Sequence, residues 1–150
     1  MSIQCQMSDG SQQSLQDLCQ GYAAVVLYFY PKDMTSGCTL QAEALRDAQD
    51  WFNERNIRIV GVSRDSVKKH QRFVEKYRLP FDLVADTDEQ LCQKFGVMAE
   101  KSMFGKRYMG IVRSTFLLDA NAEILQEWRQ VKIDQHLSAL QSYIGEMKHE

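Results

Sequence analysis

Residues 22–30, YAAVVLYFY, make an unbroken run of apolar, β-branched and aromatic side chains. A strand with one wet face would alternate, so a continuous run of this length marks a strand covered on both faces. IRIVGVS at 57–63 reads the same way, and FDLVAD at 81–86 is a shorter strand. Between these runs the period changes from two to the helical spacing. Ala44, Leu45, Ala48, Trp51 and Phe52 fall on one face of a helix over 39–54. Val67, His70, Phe73, Val74 and Tyr77 line a second helix that ends before Pro80, with His70 a packed histidine on the apolar face. Leu91, Cys92 and Phe95 are the inner positions of a short helix over 87–95, and Gly96 is placed to end it.

The chain opens with a short edge strand at 3–7 and a turn at 8–11, SDGS. Towards its end, GIVRSTFLLD and AEILQEWRQV form a hairpin across a turn at 119–122. Ile133, Leu137, Leu140, Ile144 and Met147 then mark an amphipathic terminal helix. Strand and helix alternate, and a hairpin and a helix follow, with no linker or repeat. The expected fold is α/β in three layers: a central mixed sheet with helices on both faces, in the thioredoxin-like arrangement, as one domain over residues 1–150.

Composition narrows the function classes. A formal net charge of −2 supplies no basic field for nucleic acid. Lys101, Lys106 and Arg107 gather locally, but acidic residues lie near them in sequence, and a solvated face is the reading. The first residues have neither a basic nor an apolar region of the secretory kind, and no run is long enough to span a membrane. A cytoplasmic protein with no membrane partner is therefore expected, with Cys5, Cys19, Cys38 and Cys92 resting as thiols. No C-x-x-C occurs, and His70, His136 and His149 show no ligand spacing, so no metal site is expected.

Cys38 carries the chemical question. It follows a buried strand, a proline and a small polar turn, and stands where a helical pattern begins. The first turn of a helix has unpaired N–H groups and the positive end of the macrodipole, and both favour a thiolate. Free cysteine titrates near ~8.5, and helix N-termini or neighbouring cations bring such thiols to ~3.5–7.5. Thr35, three residues earlier, can aim its hydroxyl at the sulfur or at an oxygen bound to it. Pro31 fixes the chain leaving the strand and shields the pocket, and Gly37 allows close backbone approach to a ligand. A lone cysteine is more often an inert buried hydrophobe; the whole string P-x-x-x-T-x-x-C is what raises the reactive reading.

YFYPKDMTSGCT resembles the active-site segment of the peroxiredoxins, and most closely that of the bacterioferritin-comigratory-protein or peroxiredoxin Q subfamily. The resemblance continues through GVSRDSVKKHQRF and CQKFGVMAEKSMFGKRYMGIVRSTFLLD, covering nearly all of the chain after about residue 21. It implies a thiol peroxidase of thioredoxin-like fold, with Cys38 as the peroxidatic cysteine beside Thr35 and Pro31. Arg113 matches an arginine brought to the sulfur from a distant strand, although by itself it reads equally well as a surface strand residue. Gly37, Cys38, Thr35 and Arg113 would bind the peroxide, with no metal, haem or flavin. The implied partners are hydrogen peroxide or an alkyl hydroperoxide and a reducing thiol from thioredoxin, glutaredoxin or glutathione.

Two positions depart from the subfamily pattern. Glu43 stands five residues after Cys38, where many members carry a resolving cysteine, and the 66–77 segment has none either. Cys92, Cys19 and Cys5 remain; for Cys92 a core role is favoured over a resolving one, and Cys19 is expected far from Cys38, at the other end of the strand. A one-cysteine mechanism completed by an outside thiol is the simplest expectation. Ser36 replaces the usual proline and is expected to cap the helix. The apolar face of the terminal helix can be used up within the domain, so a monomer is expected. The competing readings are a redox-sensing thiol switch and, more weakly, a disulfide reductase, against which the missing C-x-x-C argues.

Overall fold

The computed structural model describes residues 3–147; His149 lies outside them. Its elements in chain order are β1 (Gln4–Gln6), β2 (Gln12–Ser14), α1 (Leu15–Cys19), β3 (Ala24–Phe29), α2 (Ser36–Asp47), α3 (Gln49–Asn53) and β4 (Ile57–Ser63). There follow α4 (Val67–Tyr77), β5 (Asp82–Ala85), α5 (Gln90–Lys94), β6 (Met98–Met103), β7 (Lys106–Ile111), β8 (Ser114–Leu118), β9 (Ile124–Arg129) and α6 (Ile133–Glu146).

The central sheet runs β5-β4-β3-β8-β9. Its first three strands are parallel, and β8 and β9 join antiparallel. All six residues of β3 are buried, as its unbroken apolar run requires. Strand parity divides them. Val25, Leu27 and Phe29 point into a core with α1, α5 and the β1–β2 hairpin. Ala24, Val26 and Tyr28 point into the other, with α2, α3, α4 and α6. This is the mixed sheet with helices on both faces that the sequence implied. Burying each of the large side chains is worth about 1.5–3 kcal/mol.

Two expected elements differ in the structure. The helix expected over 39–54 starts earlier, at Ser36, and breaks at Ala48 into α2 and α3. Its buried face is Cys38, Gln41, Ala42 and Leu45, with Ala44 only half-buried. The strand expected over 110–119 belongs to two elements. Residues up to Ile111 form β7, paired with β6 in a separate two-stranded sheet, and β8 begins at Ser114. The β6–β7 turn, Phe104–Gly105, has positive φ at both residues (52° and 78°), as a two-residue hairpin turn of the primed type demands. Nothing in the periodicity announced this hairpin, because most of its residues are exposed or half-buried. The short elements β2 and α1 also went unread.

The site is set by one pairing. β3 and β8 run antiparallel with Phe29 opposite Ser114. The chain enters β8 beside the point where it leaves β3, so the residue before Ser114 stands next to the loop that begins α2.

Candidate active site

The chain leaves β3 through Tyr30 and Pro31 and makes a short loop in which Met34 takes a positive φ of 68°. Thr35 is the N-cap of α2, with extended backbone (φ −75°, ψ 153°). Its side chain does not cap the helix; Oγ1 donates to the Lys32 carbonyl at 2.9 Å. Ser36, expected as the cap, is the first helical residue instead. Cys38 is the third residue of the helix and is 1% exposed. Its sulfur is therefore in the turn where backbone N–H groups lack helical acceptors.

Arg113 reaches this sulfur from the residue preceding β8. Nη2 donates to Cys38 Sγ at 3.1 Å, and Nη1 donates to Gln41 Oε1, one helical turn beyond Cys38, at 2.8 Å. Gly37 makes room for this approach. A Cβ there would lie 2.8 Å from Ile133 Cδ1 and 3.0 Å from Arg113 Nη2. The glycine is needed for the closeness of the guanidinium, and its backbone angles are ordinary. The guanidinium thus bridges the sulfur and the Gln41 amide with two separate N–H donors.

Behind Arg113 runs a buried polar chain that the sequence did not reveal. Gln41 Nε2 lies 3.2 Å from His136 Nδ1, and His136 Nε2 lies 2.8 Å from Thr115 Oγ1. Burial, helped by the Arg113 charge, pushes the His136 pKa down to about 4. The Tyr28 ring centroid is 6.2 Å from that of His136, and burial raises its phenol well above the ordinary range.

A second network braces the loop. Tyr30 Oη donates to Asp33 Oδ1 at 2.5 Å, and His70 Nδ1 meets Asp33 Oδ2 at 2.6 Å. His70 Nε2 lies 2.9 Å from the Val84 carbonyl. His70 is packed, as expected, but it also ties the loop to α4 and β5. Lys101 likewise departs from the solvated face assigned to it. It is half-buried and donates to the Ile111 carbonyl, and burial followed by the Arg113 charge lowers its pKa. Lys106 and Arg107 are exposed, as expected.

Residues 2–127 match the AhpC/TSA family. The chain belongs to that family. Among its relatives, Peroxiredoxin Bcp of Bacillus subtilis is 50% identical over 119 residues, covering 79% of this chain and 76% of that protein. Peroxiredoxin Bcp of Escherichia coli K12 is 43% identical over 138 residues, covering 92% and 87%. Among solved structures, a mutant of Xanthomonas campestris Peroxiredoxin Q superposes with a TM-score of 0.89 at 41% identity, covering 95% of this chain and 90% of that one. The Xanthomonas campestris Bacterioferritin Comigratory Protein, studied for alkyl peroxide reduction, gives 0.88 at 40% identity over 95% and 90% of the two chains. The resemblance carried by YFYPKDMTSGCT and the two segments after it therefore holds at the level of family and of thioredoxin-like fold.

The other thiols of this AhpC/TSA family member lie elsewhere. Cys5, Cys19 and Cys92 are all buried in the core on the face of the sheet opposite Cys38. Burial pushes the Cys5 thiol up to about 12 and the Cys19 thiol up to about 11. Burial and then Asp86 drive Cys92 far above the ordinary thiol range. The structure brings none of them to Cys38, and the position of a subfamily resolver is held by Glu43, 3.8 Å from Arg46. Among the described residues, no cluster of three or more His, Cys, Asp or Glu could hold a metal ion, and no helix is long and apolar enough to cross a membrane.

Proposed function

We propose that this chain is a thiol peroxidase that reduces hydrogen peroxide and alkyl hydroperoxides through Cys38, by a one-cysteine mechanism. The observation that carries this reading is Arg113 Nη2 at 3.1 Å from Cys38 Sγ, within the first turn of α2. The thiolate attacks the terminal peroxide oxygen in line with the O–O bond. An S–O bond forms, the O–O bond breaks, and the leaving oxygen takes a proton to become water or an alcohol. Cys38 is left as the sulfenic acid. As charge moves along the O–O bond, the guanidinium, anchored on Gln41, stays aimed at it without reorganising. Thr35 keeps its lone pairs free for a peroxide proton, since its own proton is used on Lys32. Pro31, half-buried where the chain leaves β3, is assigned the role of shielding the site from water.

An outside thiol from thioredoxin, glutaredoxin or glutathione then attacks the sulfenic sulfur and expels water. A second thiol attacks the mixed disulfide and frees Cys38. Placement of Cys5, Cys19 and Cys92 across the sheet supports the external route. A monomer working in the cytoplasm fits this scheme. The test is a peroxidase assay coupled to each reductant, with Cys38→Ser beside wild type. Steady turnover in wild type and none in the variant is the expected result. Mass spectrometry after one equivalent of peroxide should find no internal disulfide to Cys38; finding one would end the one-cysteine reading.

A redox-sensing switch is the second reading, favoured by the 1% exposure of Cys38, which a reductant must somehow reach. A switch would consume one equivalent of peroxide and stop with every reductant tried.

A further inference from the structure

Arginine can only donate hydrogen bonds, because no guanidinium nitrogen offers a lone pair. That fixes the direction of everything behind Arg113. The Gln41 atom 2.8 Å from Nη1 must be the amide oxygen, so the amide nitrogen faces His136 Nδ1 at 3.2 Å. A ring nitrogen that receives an N–H must be unprotonated. His136 is then the neutral tautomer with its proton on Nε2, which donates to Thr115 Oγ1 at 2.8 Å. The reverse arrangement sets two donors face to face at Gln41 and Arg113.

We propose that His136 is a positioning residue for Cys38: its Nδ1 lone pair holds the Gln41 amide in the one orientation that accepts from Arg113, which aims Nη2 at the sulfur. This inference rests on the peroxidase reading for its purpose, though not for its geometry. It makes α6, the terminal helix, part of the site, through a residue 95 positions away from Gln41. The environment suits the role. His136 is 4% exposed, and its lowered pKa of about 4 keeps the Nδ1 lone pair available throughout the neutral range. Without that acceptor, the Gln41 amide can rotate and present its NH2 to the guanidinium. Arg113 then loses one of its two anchors.

Isosteric variants separate positioning from mere packing. Asparagine places an acceptor near the site of Nδ1, whereas glutamine carries its amide further, towards Thr115. The readout is the rate of Cys38 alkylation by iodoacetamide against pH, followed on the Cys38 peptide by mass spectrometry, with no peroxide present. H136Q and H136L should move the midpoint of that profile upward by about one pH unit. H136N should recover most of the wild-type profile. Thr115→Val, which keeps the shape of the side chain and removes the acceptor for Nε2–H, should shift the midpoint in the same direction by a smaller amount. It serves where a His136 variant folds poorly. Equal shifts in H136N and H136Q, or wild-type profiles in H136Q and T115V despite lowered Tm, would overturn the proposal. Peroxide turnover is measured separately on wild type. If the alkylation split appears and wild type does not turn over, the positioning role stands and the peroxidase reading falls.

Discussion

Cys38 and Cys92 occupy the same position in their helices. Each is the third residue, after caps at Thr35 and Glu89, and each is essentially inaccessible. Their surroundings differ in sign. At α5 the Asp86 carboxylate accepts from the N–H groups of Leu91 and Cys92 at 3.0 and 2.8 Å, so that helix end is already satisfied by an anion. Burial in the apolar core, and then the same carboxylate, push the Cys92 thiol upward. At α2 the cap side chain turns away to the Lys32 carbonyl, and a guanidinium meets the sulfur. A helix N-terminus therefore does not make a thiol reactive by itself. What matters is whether its donors have been claimed and which charge stands opposite.

The comparison breaks most visibly at the sulfurs themselves. Cys38→Ser should abolish peroxide consumption, while Cys92→Ala, Cys19→Ala and Cys5→Ala should each retain it in the same coupled assay. Removing the opposing charge comes next. Arg113→Leu should lower kcat/KM for hydrogen peroxide by about 10²–10³, the range for losing a preorganised charge-stabilising donor. Arg113→Lys should rescue little, because one ammonium cannot serve both Sγ and Gln41 in a fixed fork.

Gly37→Ala pushes against Ile133 Cδ1 and Arg113 Nη2 and should slow peroxide reduction about tenfold, equivalent to about 1.4 kcal/mol. Trimming Ile133 to alanine in the same chain should recover part of the rate. On the other face, Asp86→Ala should leave peroxide turnover unchanged and raise Cys92 alkylation. Loss of two charge-assisted bonds to backbone should cost about 3–6 kcal/mol in urea unfolding.

Acid stability gives the last check, read on stability rather than on rate. Burial holds His136 near 4 when folded, against an ordinary 6.5. The unfolded chain takes up that proton first as pH falls. His136 therefore weakens the fold progressively from about pH 6.5 down to about 4, by at most about 3 kcal/mol. Urea midpoints at pH 7 and 4.5 should differ less in His136→Asn than in wild type.

Much of this molecule could be read along the chain. The all-buried β3, the exact span of β4, the face of α4 and the Gly96 terminus of α5 follow from local period and turn chemistry. Cys38 stood out because a strand, a proline, a glycine and a helix start lie within a dozen residues of one another. The β6–β7 hairpin escaped because its mostly exposed side chains are under no demand to alternate. The break at Ala48 escaped because apolar spacing continues across it to Trp51 and Phe52.

The sequence by itself determined the strand order of burial, the place of Cys38 at a helix mouth, and the lack of a thiol at position 43. Each is a matter of neighbours within one or two turns. The tertiary structure decided the rest: that Arg113 meets a sulfur 75 residues away, that Gln41 and His136 stand behind it, and that three thiols are left on the far side of the sheet. These depend on the register of β8 against β3 and the docking of α6. Both are fixed by how whole faces pack, which local pattern does not encode.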